Sequence, residues 1–189
     1  MGFLDALFGR SKPVKAKTEQ LFAISTAAVT LETRWGLKPT GDGAVVFKPL
    51  SSSYFGAAER EIDDILRLAA QEQGSTVRRQ GDEFGYQWVN VQDPDFEDLV
   101  AAIHMVTLTL QEHGFKDQLL AAAFRFDGAP GGPVYWLYNY KHGTYYPFVP
   151  RGNHERDNAE ELKLAAVMER ELPMEKNPTQ WYALWGIPI

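Results

Sequence analysis

The sequence predicts a single α+β domain with an antiparallel sheet of five or six strands, packed with helices mainly on one face. A length of 189 residues suits one domain, and 44% apolar with 23% charged residues is ordinary for a globular protein. Residues 118–150 hold the densest apolar block, in which two strand-like segments are joined by the glycine-rich residues 128–132. A short connection that contains glycine indicates a hairpin, and therefore an antiparallel pairing.

Six segments rich in β-branched and aromatic residues are the predicted strands. Leu119–Phe126 is almost continuously apolar, which is typical of a strand buried on both faces. Pro147 has no N–H to donate to a neighbouring strand, so its segment is predicted at an edge of the sheet. The predicted strands are Ala44–Phe47, Thr76–Gln80, Phe84–Val91, Leu119–Phe126, Val134–Tyr140 and Thr144–Val149, with residues 39–43 forming a turn before the first.

Apolar residues at helical spacing predict four helices. Ser25 is predicted as the N-cap of the first helix and Gly36 as its end. The third helix begins near Asp95, because acidic residues suit the positive end of a helix dipole. The predicted helices are Thr26–Trp35, Tyr54–Gln73, a segment from Asp95 to His113, and Arg156–Leu172, whose Leu162, Ala165, Ala166, Met168 and Leu172 are expected to face the sheet.

Residues 1–17 are predicted to be an amphipathic segment and linker, followed by the single domain at residues 18–189 with its apolar C-terminal tail. The first apolar side chains would share one side of a helix that Gly9 ends. A helix this short is marginal in water, so the segment is expected either to dock on a membrane, on a partner or on its own domain, or to remain a frayed terminus. The residues predicted to contact a membrane or partner are Phe3, Leu4, Leu7, Phe8, Arg10 and Lys12.

The formal charge of −6 is unevenly distributed along the chain. Residues 1–17 carry +3, which leaves −9 on the remainder. An acidic body argues against a general nucleic-acid binder, whereas the basic segment has the sign that suits anionic lipid or an acidic partner. No apolar run approaches the ~18 residues of a membrane-spanning helix, and the N-terminus lacks the order of a signal peptide. A cytoplasmic location is expected, with peripheral contact at the inner face of the membrane as an option.

Aromatic side chains near the central hairpin form a second candidate surface. They suit either a stacking platform for single-stranded nucleic acid or a groove for a peptide or partner helix, and the acidic charge favours the groove. Trp181 and Trp185 in the apolar tail are predicted to cover an edge of their own domain, with insertion into a partner as the alternative. The residues predicted to bind a partner are Tyr138, Tyr140, Tyr145 and Tyr146.

The sequence contains no motif for catalysis, a metal or a cofactor. The absence of cysteine excludes disulfides and thiolate metal sites, and the four histidines form no metal-binding helix motif. His142 is expected to be exposed in a turn. Carboxylate pairs such as Glu160 and Glu161 are expected on solvated helix faces, although any two could serve as acid and base. Residues 155–157 are expected to form an ion-pair network that holds the last helix to the end of the preceding strand, in which a surface pair would contribute only ~0–1 kcal/mol.

Several long segments, in the same order, resemble the PspA-associated family called PspAB, where PspA is phage shock protein A. The resemblance covers nearly the whole chain, so it is more specific than any single motif. It is carried by MGFLDALFGRSKP, LFAISTAAVTLETRWGL, FGYQWVNVQDPDFEDLV, LLAAAFRF, YNYKHGTYYPFVP, ERDNAEELKL and WYALWGIP.

The resemblance implies a non-enzymatic accessory protein of the bacterial envelope-stress, or phage shock, system that associates with a PspA-type membrane-remodelling protein. It brings no catalytic residue, metal or cofactor. The order of helices and strands also resembles the α+β fold of type III secretion chaperones and YbjN-like proteins. A peptide- or protein-binding, chaperone-like homodimer is therefore the alternative function.

Overall fold

The computed structural model describes residues 19–49, 60, 63–64, 67–68 and 74–189. A six-stranded antiparallel sheet with the strand order β2-β3-β1-β4-β5-β6 forms its centre, which confirms the predicted α+β class. The strands are β1 (Lys38–Phe47), β2 (Thr76–Gly81), β3 (Gln87–Gln92), β4 (Leu119–Asp127), β5 (Val134–Asn139) and β6 (Thr144–Phe148).

Three α-helices have both ends within the described residues. Residues 60, 63–64 and 67–68 are also helical and fall in the predicted helix Tyr54–Gln73, whose other residues lie outside the described part. The helices are α1 (Ala23–Trp35), α2 (Phe96–Leu110), which continues into a wider turn at Gln111–Phe115, and α3 (Asn158–Met168), with short 3-10 turns at Gln20–Phe22, Lys116–Gln118 and Pro178–Gln180.

The start of α2 and the end of α1 follow the sequence signals, whereas the start of α1 does not. Asp95 caps α2 by accepting hydrogen bonds from the main-chain N–H groups of Glu97 (2.9 Å) and Asp98 (3.2 Å), as predicted. Gly36 ends α1 with φ 67°, a left-handed conformation that favours glycine. Ser25, in contrast, is not the N-cap of α1. The 3-10 turn before α1 continues directly into the helix, so Ser25 lies inside it.

Strand β4 is central and buried on both faces, as its apolar run predicts. It pairs with β1 on one side and β5 on the other. Because side chains alternate along a strand, Ala122 and Phe124 lie on one face and Ala121 and Ala123 on the other, and all four are buried. The sheet therefore has two covered faces.

Helices α1 and α2 cover the face of the sheet that contains Ala122 and Phe124, here called the helix face. Four residues at helical spacing in α2 are all buried in this core, and the Phe96 ring meets Phe124 and Phe126 edge to face at 5.9 and 5.4 Å. The Tyr145 hydroxyl donates to the main-chain oxygen of Leu21 and so joins β6 to the start of α1. The four α2 residues are Leu99, Ile103, Val106 and Leu110.

The predicted turn at residues 39–43 is wrong, because this segment is the first half of β1. Pro39 and Gly43 pair with Phe126 and Phe124, so the strand is irregular between them. Gly41 has φ 82° and lies against the main-chain oxygen of Asp93, where a Cβ would overlap it. The turn-like composition therefore serves a bulge within a longer strand.

Helix α3 is shorter than predicted, and only part of the predicted side faces the sheet: Met168 and Leu172 are buried as expected and Ala165 is partly buried, but Leu162 and Ala166 are exposed. Asp157 caps it by accepting a hydrogen bond from the Glu160 N–H at 2.9 Å, so the helix begins at Asn158. Leu164 and Met168 are buried, whereas Leu162 is exposed. Residues that are two positions apart in the sequence differ by about 200° around a helix, so Leu162 and Leu164 cannot face the same side.

Strand β6 is at an edge of the sheet, as Pro147 predicts. Its outer side pairs with a short parallel segment that follows α3. The Tyr145 N–H donates to the Pro173 oxygen, and the Glu175 N–H donates to the Tyr145 oxygen, both at 2.8 Å. This pairing occupies main-chain groups that an edge strand otherwise leaves open.

Candidate functional site

The second face of the sheet is covered by residues 181–189, here called the tail. Trp181 is buried, and the Trp185 ring packs edge to face on Phe148 (5.1 Å) and His154 (5.3 Å). The predicted intramolecular cover by Trp181 and Trp185 is confirmed, although they cover a face and not an edge. The covered residues, here called the tail face, are Ala44, Val46, Trp88, Ala121, Ala123, Tyr135, Leu137, Tyr146 and Phe148.

Four side chains hold the tail through its main-chain oxygen atoms. No β-ladder joins the tail to a strand in the described chain, so these side-chain bonds replace a ladder. Such donors bind the peptide backbone, so these hydrogen bonds depend little on which side chains the tail carries. The bonds run from Asn90 Nδ2 to Pro188 (3.2 Å), from the Tyr135 hydroxyl to Ile189 (3.2 Å), from the Tyr146 hydroxyl to Tyr182 (3.1 Å) and from Arg156 Nη1 to Trp181 (2.8 Å).

A cleft of about 770 Å³ opens beside the tail, where β4 begins and β5 ends. Its volume lies in the range of clefts that hold small molecules or the side chains of a peptide. Its lining is largely aromatic and aliphatic, with a few charged residues. The lining includes Tyr86, Leu120, Tyr138, Tyr140, Tyr146, Tyr182 and Leu184, together with Lys116, Asp117 and Lys141.

The four tyrosines predicted to bind a partner do not form an exposed surface. Tyr138, Tyr145 and Tyr146 are buried, and Tyr140 is partly buried with its hydroxyl 2.5 Å from Thr107 Oγ1. Burial raises the pKa of all four hydroxyl groups. The expected surface is corrected to two covered faces and one cleft, because α1, α2 and the tail pack over the rings. Tyr138, Tyr140 and Tyr146 line the cleft, so their contact with a partner stays a prediction that is confined to this place.

The predicted N-terminal contact lies outside the described residues. Phe3, Leu4, Leu7, Phe8, Arg10 and Lys12 all precede residue 19, and their contact with a membrane or partner stays a prediction. None of the helices in the described chain combines the length and the apolar character that a bilayer crossing requires.

A buried ion pair joins α3 to the end of β6 and to the tail. Arg156 Nε donates to both carboxylate oxygens of Glu161 at 2.9 and 2.8 Å, and the Val149 N–H donates to the same carboxylate at 2.8 Å. The Glu161 side chain is only 1% exposed. Burial raises the pKa of Glu161, and the Arg156 and Val149 hydrogen bonds oppose that rise.

One prediction about these charges is therefore wrong, because Glu161 is not on a solvated helix face. Arg156 does help to hold the last helix to the end of β6 as expected, but its partner is Glu161 and the pair is buried, so the small value of a surface pair does not apply to it. The pair between Arg151 and Asp157, with 2.5 Å between Nη2 and Oδ2, is partly exposed. The available signal was the position of Glu161 one turn after the Asp157 cap, on the same side as Leu164 and Met168.

Glu175 connects the turn before β6 to the segment that leads into the tail. Its Oε2 lies 2.8 Å from His142 Nδ1 and accepts a hydrogen bond from the Thr144 hydroxyl at 3.2 Å. Its other oxygen accepts from the Asn177 N–H at 3.0 Å. His142 is thus a partly covered partner of a carboxylate and not the exposed turn residue that was expected.

We expect Glu175 to make the free energy of unfolding depend on pH in the acidic range. Partial burial raises its pKa, but the Asn177 N–H, His142 and Thr144 outweigh this, and the pKa lies below its usual value. A carboxylate with a lowered pKa in the folded state stabilises the fold above its unfolded pKa, and this contribution is lost as pH falls through the folded pKa. Glu175→Gln should lower the free energy of unfolding at pH 7 by about 1–2 kcal/mol and flatten its decline below about pH 4.5.

Urea denaturation of both proteins between pH 3 and pH 7 measures this effect. Glu171→Gln is the matched control, because Glu171 is exposed in the same segment. Equal pH slopes for the wild type and Glu175→Gln would show that Glu175 does not couple folding to proton binding.

The described residues bring together no group of three histidine, aspartate or glutamate side chains that could hold a metal ion. Among the histidines, His104 packs against Phe22 with 4.9 Å between ring centroids, and burial lowers its pKa while Glu19 opposes this. His104 is partly buried and therefore lies at the boundary of the core.

An open antiparallel sheet with helices on one face and an apolar tail on the other defines an α+β protein. Its most distinctive feature is the tail face, to which side chains bind residues 181–189. The family model described as PspA associated protein B matches residues 1–189, so the chain belongs to that family. No curated protein and no solved structure matches the chain. The similarity to type III secretion chaperones and YbjN-like proteins therefore stays a prediction.

Proposed function

We propose that this protein is a non-enzymatic accessory of the bacterial envelope-stress system and that it binds a PspA-type membrane-remodelling protein. The observation that carries the proposal is the family match over residues 1–189, since the family is described by its association with PspA. The proposed location is the cytoplasm, at the inner face of the membrane when PspA is bound there.

The charge distribution supports the N-terminal segment as the contact. Residues 1–17 carry +3 and the rest of the chain −9. A basic segment with four large apolar side chains can combine electrostatic attraction with apolar burial on a partner or on anionic lipid. The acidic remainder disfavours nucleic acid as the partner.

The side-chain contacts of the described residues support a role without catalysis. The described carboxylates with shifted pKa values are bound by structural donors: Asp157 by Arg151 and the Glu160 N–H, Glu161 by Arg156 and the Val149 N–H, and Glu175 by the Asn177 N–H, His142 and Thr144. Perturbed groups at catalytic sites are instead directed at a substrate. Asp157 and Glu161 hold α3 in place, and Glu175 holds the segment that leads into the tail.

Co-sedimentation with anionic liposomes tests this proposal, with and without a purified PspA-type protein. We expect the full chain to sediment strongly only when PspA is present. Replacing Phe3, Leu4, Leu7 and Phe8 together by serine should weaken that sedimentation at least about tenfold, because each buried apolar side chain contributes ~1.5–3 kcal/mol.

The matched control is the double change Arg10→Gln and Lys12→Gln, which keeps the apolar side chains. It should weaken binding less, and its effect should fade at high salt. Lipid binding by the full chain without PspA would make the segment a membrane anchor instead. No sedimentation under any condition would contradict both versions and favour the chaperone-like homodimer, which light scattering would then detect.

A further inference from the structure

The tail is bound to the sheet as a peptide ligand is bound to a receptor. Its main-chain oxygens accept hydrogen bonds from Asn90, Tyr135, Tyr146 and Arg156, whereas its apolar side chains rest on the tail face. A segment that belonged to the sheet itself would be held by main-chain pairing. The donors here are side chains instead: three lie on strands β3, β5 and β6, and the fourth, Arg156, lies just before α3.

The tail is held unevenly along its length. Trp181 is buried to 8% exposure and its Nε1 donates to the Glu175 oxygen at 3.0 Å. Ala183, Leu184, Trp185, Ile187 and Ile189 are only partly buried, and the Tyr182 side chain is 55% exposed. Residues 182–189 can therefore leave the sheet at a lower cost than Trp181, which stays as an anchor.

Asn90 leaves one hydrogen-bonding group on the tail face unused. Its Nδ2 donates to the Pro188 oxygen, while its Oδ1 is buried without a partner. A carboxamide can bind both the C=O and the N–H of one peptide residue, but proline has no N–H. A buried acceptor without a partner is unfavourable, so a peptide with an N–H at this position would bind better than the tail does.

We propose that the tail face is a binding site for an extended apolar peptide of another protein, and that residues 182–189 occupy the site until such a peptide displaces them. The adjacent cleft, lined there by Tyr86, Leu120 and Tyr146, gives room for side chains larger than those of Ala183 and Leu184. The proposal goes beyond the association with PspA and stands whether or not that association occurs.

The tail acts as an intramolecular competitor, so loosening it should raise the affinity for a peptide added in solution. A site that is free for only a fraction of the time shows an affinity reduced by that fraction. The probe is a fluorescein-labelled synthetic peptide with the sequence of residues 182–189, and its binding to the full chain is measured by fluorescence anisotropy. Trp185→Ala should bind it about tenfold or more tightly than the wild type, because the contacts of Trp185 with Phe148 and His154 are lost.

Tyr182→Ala is the matched control, since that side chain is exposed, and its affinity should stay within about twofold of the wild type. Ile187→Ala is a second loosening variant in case Trp185→Ala does not fold. Equal peptide affinity in the wild type and in a folded loosening variant would overturn the proposal. The proposal would also be overturned if the fraction of dimer rose with protein concentration and excess peptide did not dissociate the dimer. That result would assign the site to a second copy of this chain.

A pair of altered peptides tests the role of Asn90. One carries alanine at the position of Pro188, and the other carries N-methylalanine, which lacks the N–H. On Trp185→Ala, the alanine peptide should bind about two- to tenfold more tightly than the N-methylated one. This preference should vanish when Asn90→Ala is added. A preference that survives Asn90→Ala would show that the peptide does not occupy the place of the tail.

Discussion

Arg156→Ala should lower the free energy of unfolding by about 3–5 kcal/mol, because it leaves the Glu161 carboxylate buried without its partner. Arg156 also donates to the Trp181 oxygen at 2.8 Å and lies over the Phe148 ring at 5.2 Å, so the change should loosen the tail as well. Urea denaturation followed by tryptophan fluorescence measures both effects. A loss below about 1 kcal/mol would show that the pair behaves as a surface pair.

The pH dependence of Arg156→Ala identifies the unpaired charge as the cause. Burial already raises the pKa of Glu161, and removing the guanidinium takes away a group that opposes the rise. An acid whose pKa is raised in the folded state favours folding below its unfolded pKa, and that contribution is lost as pH rises through the folded pKa. The variant should therefore be closest to the wild type near pH 4 and furthest from it near pH 8. Adding Glu161→Gln should restore part of the loss at pH 8.

Trp181→Ala should cost about 3–5 kcal/mol, the range for removing a buried tryptophan side chain. Its ring is stacked with Tyr146 at 6.4 Å between centroids and 13° between planes, and its Nε1 donates to the Glu175 oxygen. For a chain of this length the loss corresponds to a fall of roughly 6–20 °C in Tm. Thermal unfolding followed by circular dichroism measures it.

Tyr182→Ala is the internal control for this prediction. Tyr182 is the neighbouring aromatic residue, but its side chain is exposed, and the tail uses its main-chain oxygen and not its ring. We expect a change within about 0.5 kcal/mol. If the two variants lost equal stability, the tail would act through its general apolar character and Trp181 would not be an anchor.

The elements that the sequence predicts well are those whose signals are local. Strand β5 and the α2 cap at Asp95 follow from β-forming residues, turn residues and capping chemistry within a few residues. The first half of β1 was mistaken for a turn because its proline and glycines suit both a turn and a bulge. Only pairing with β4, which is distant in the sequence, decides for the bulge.

The site depended on contacts that no local pattern reveals. The apolar composition of the tail predicted that it would be covered, but the face that it covers is fixed by contacts such as that between Asn90 and Pro188, 98 residues apart. The burial of Glu161 also depends on contacts outside its own helix, because Val149 and Arg156 both donate hydrogen bonds to its carboxylate. Tyr145 and Tyr146 were predicted on one surface, although neighbouring strand residues point to opposite faces.

The position of the tail also sets the order in which the protein can be completed during synthesis. A ribosome produces all six strands before residues 181–189, and domains begin to form while the chain is still growing. The helix face can close with segments that have already been made, whereas Trp88, Tyr135 and Phe148 stay uncovered until residues 181–189 have also been made. A chain that stops early, or a tail that is slow to dock, leaves an aromatic surface open to other newly made chains and to chaperones.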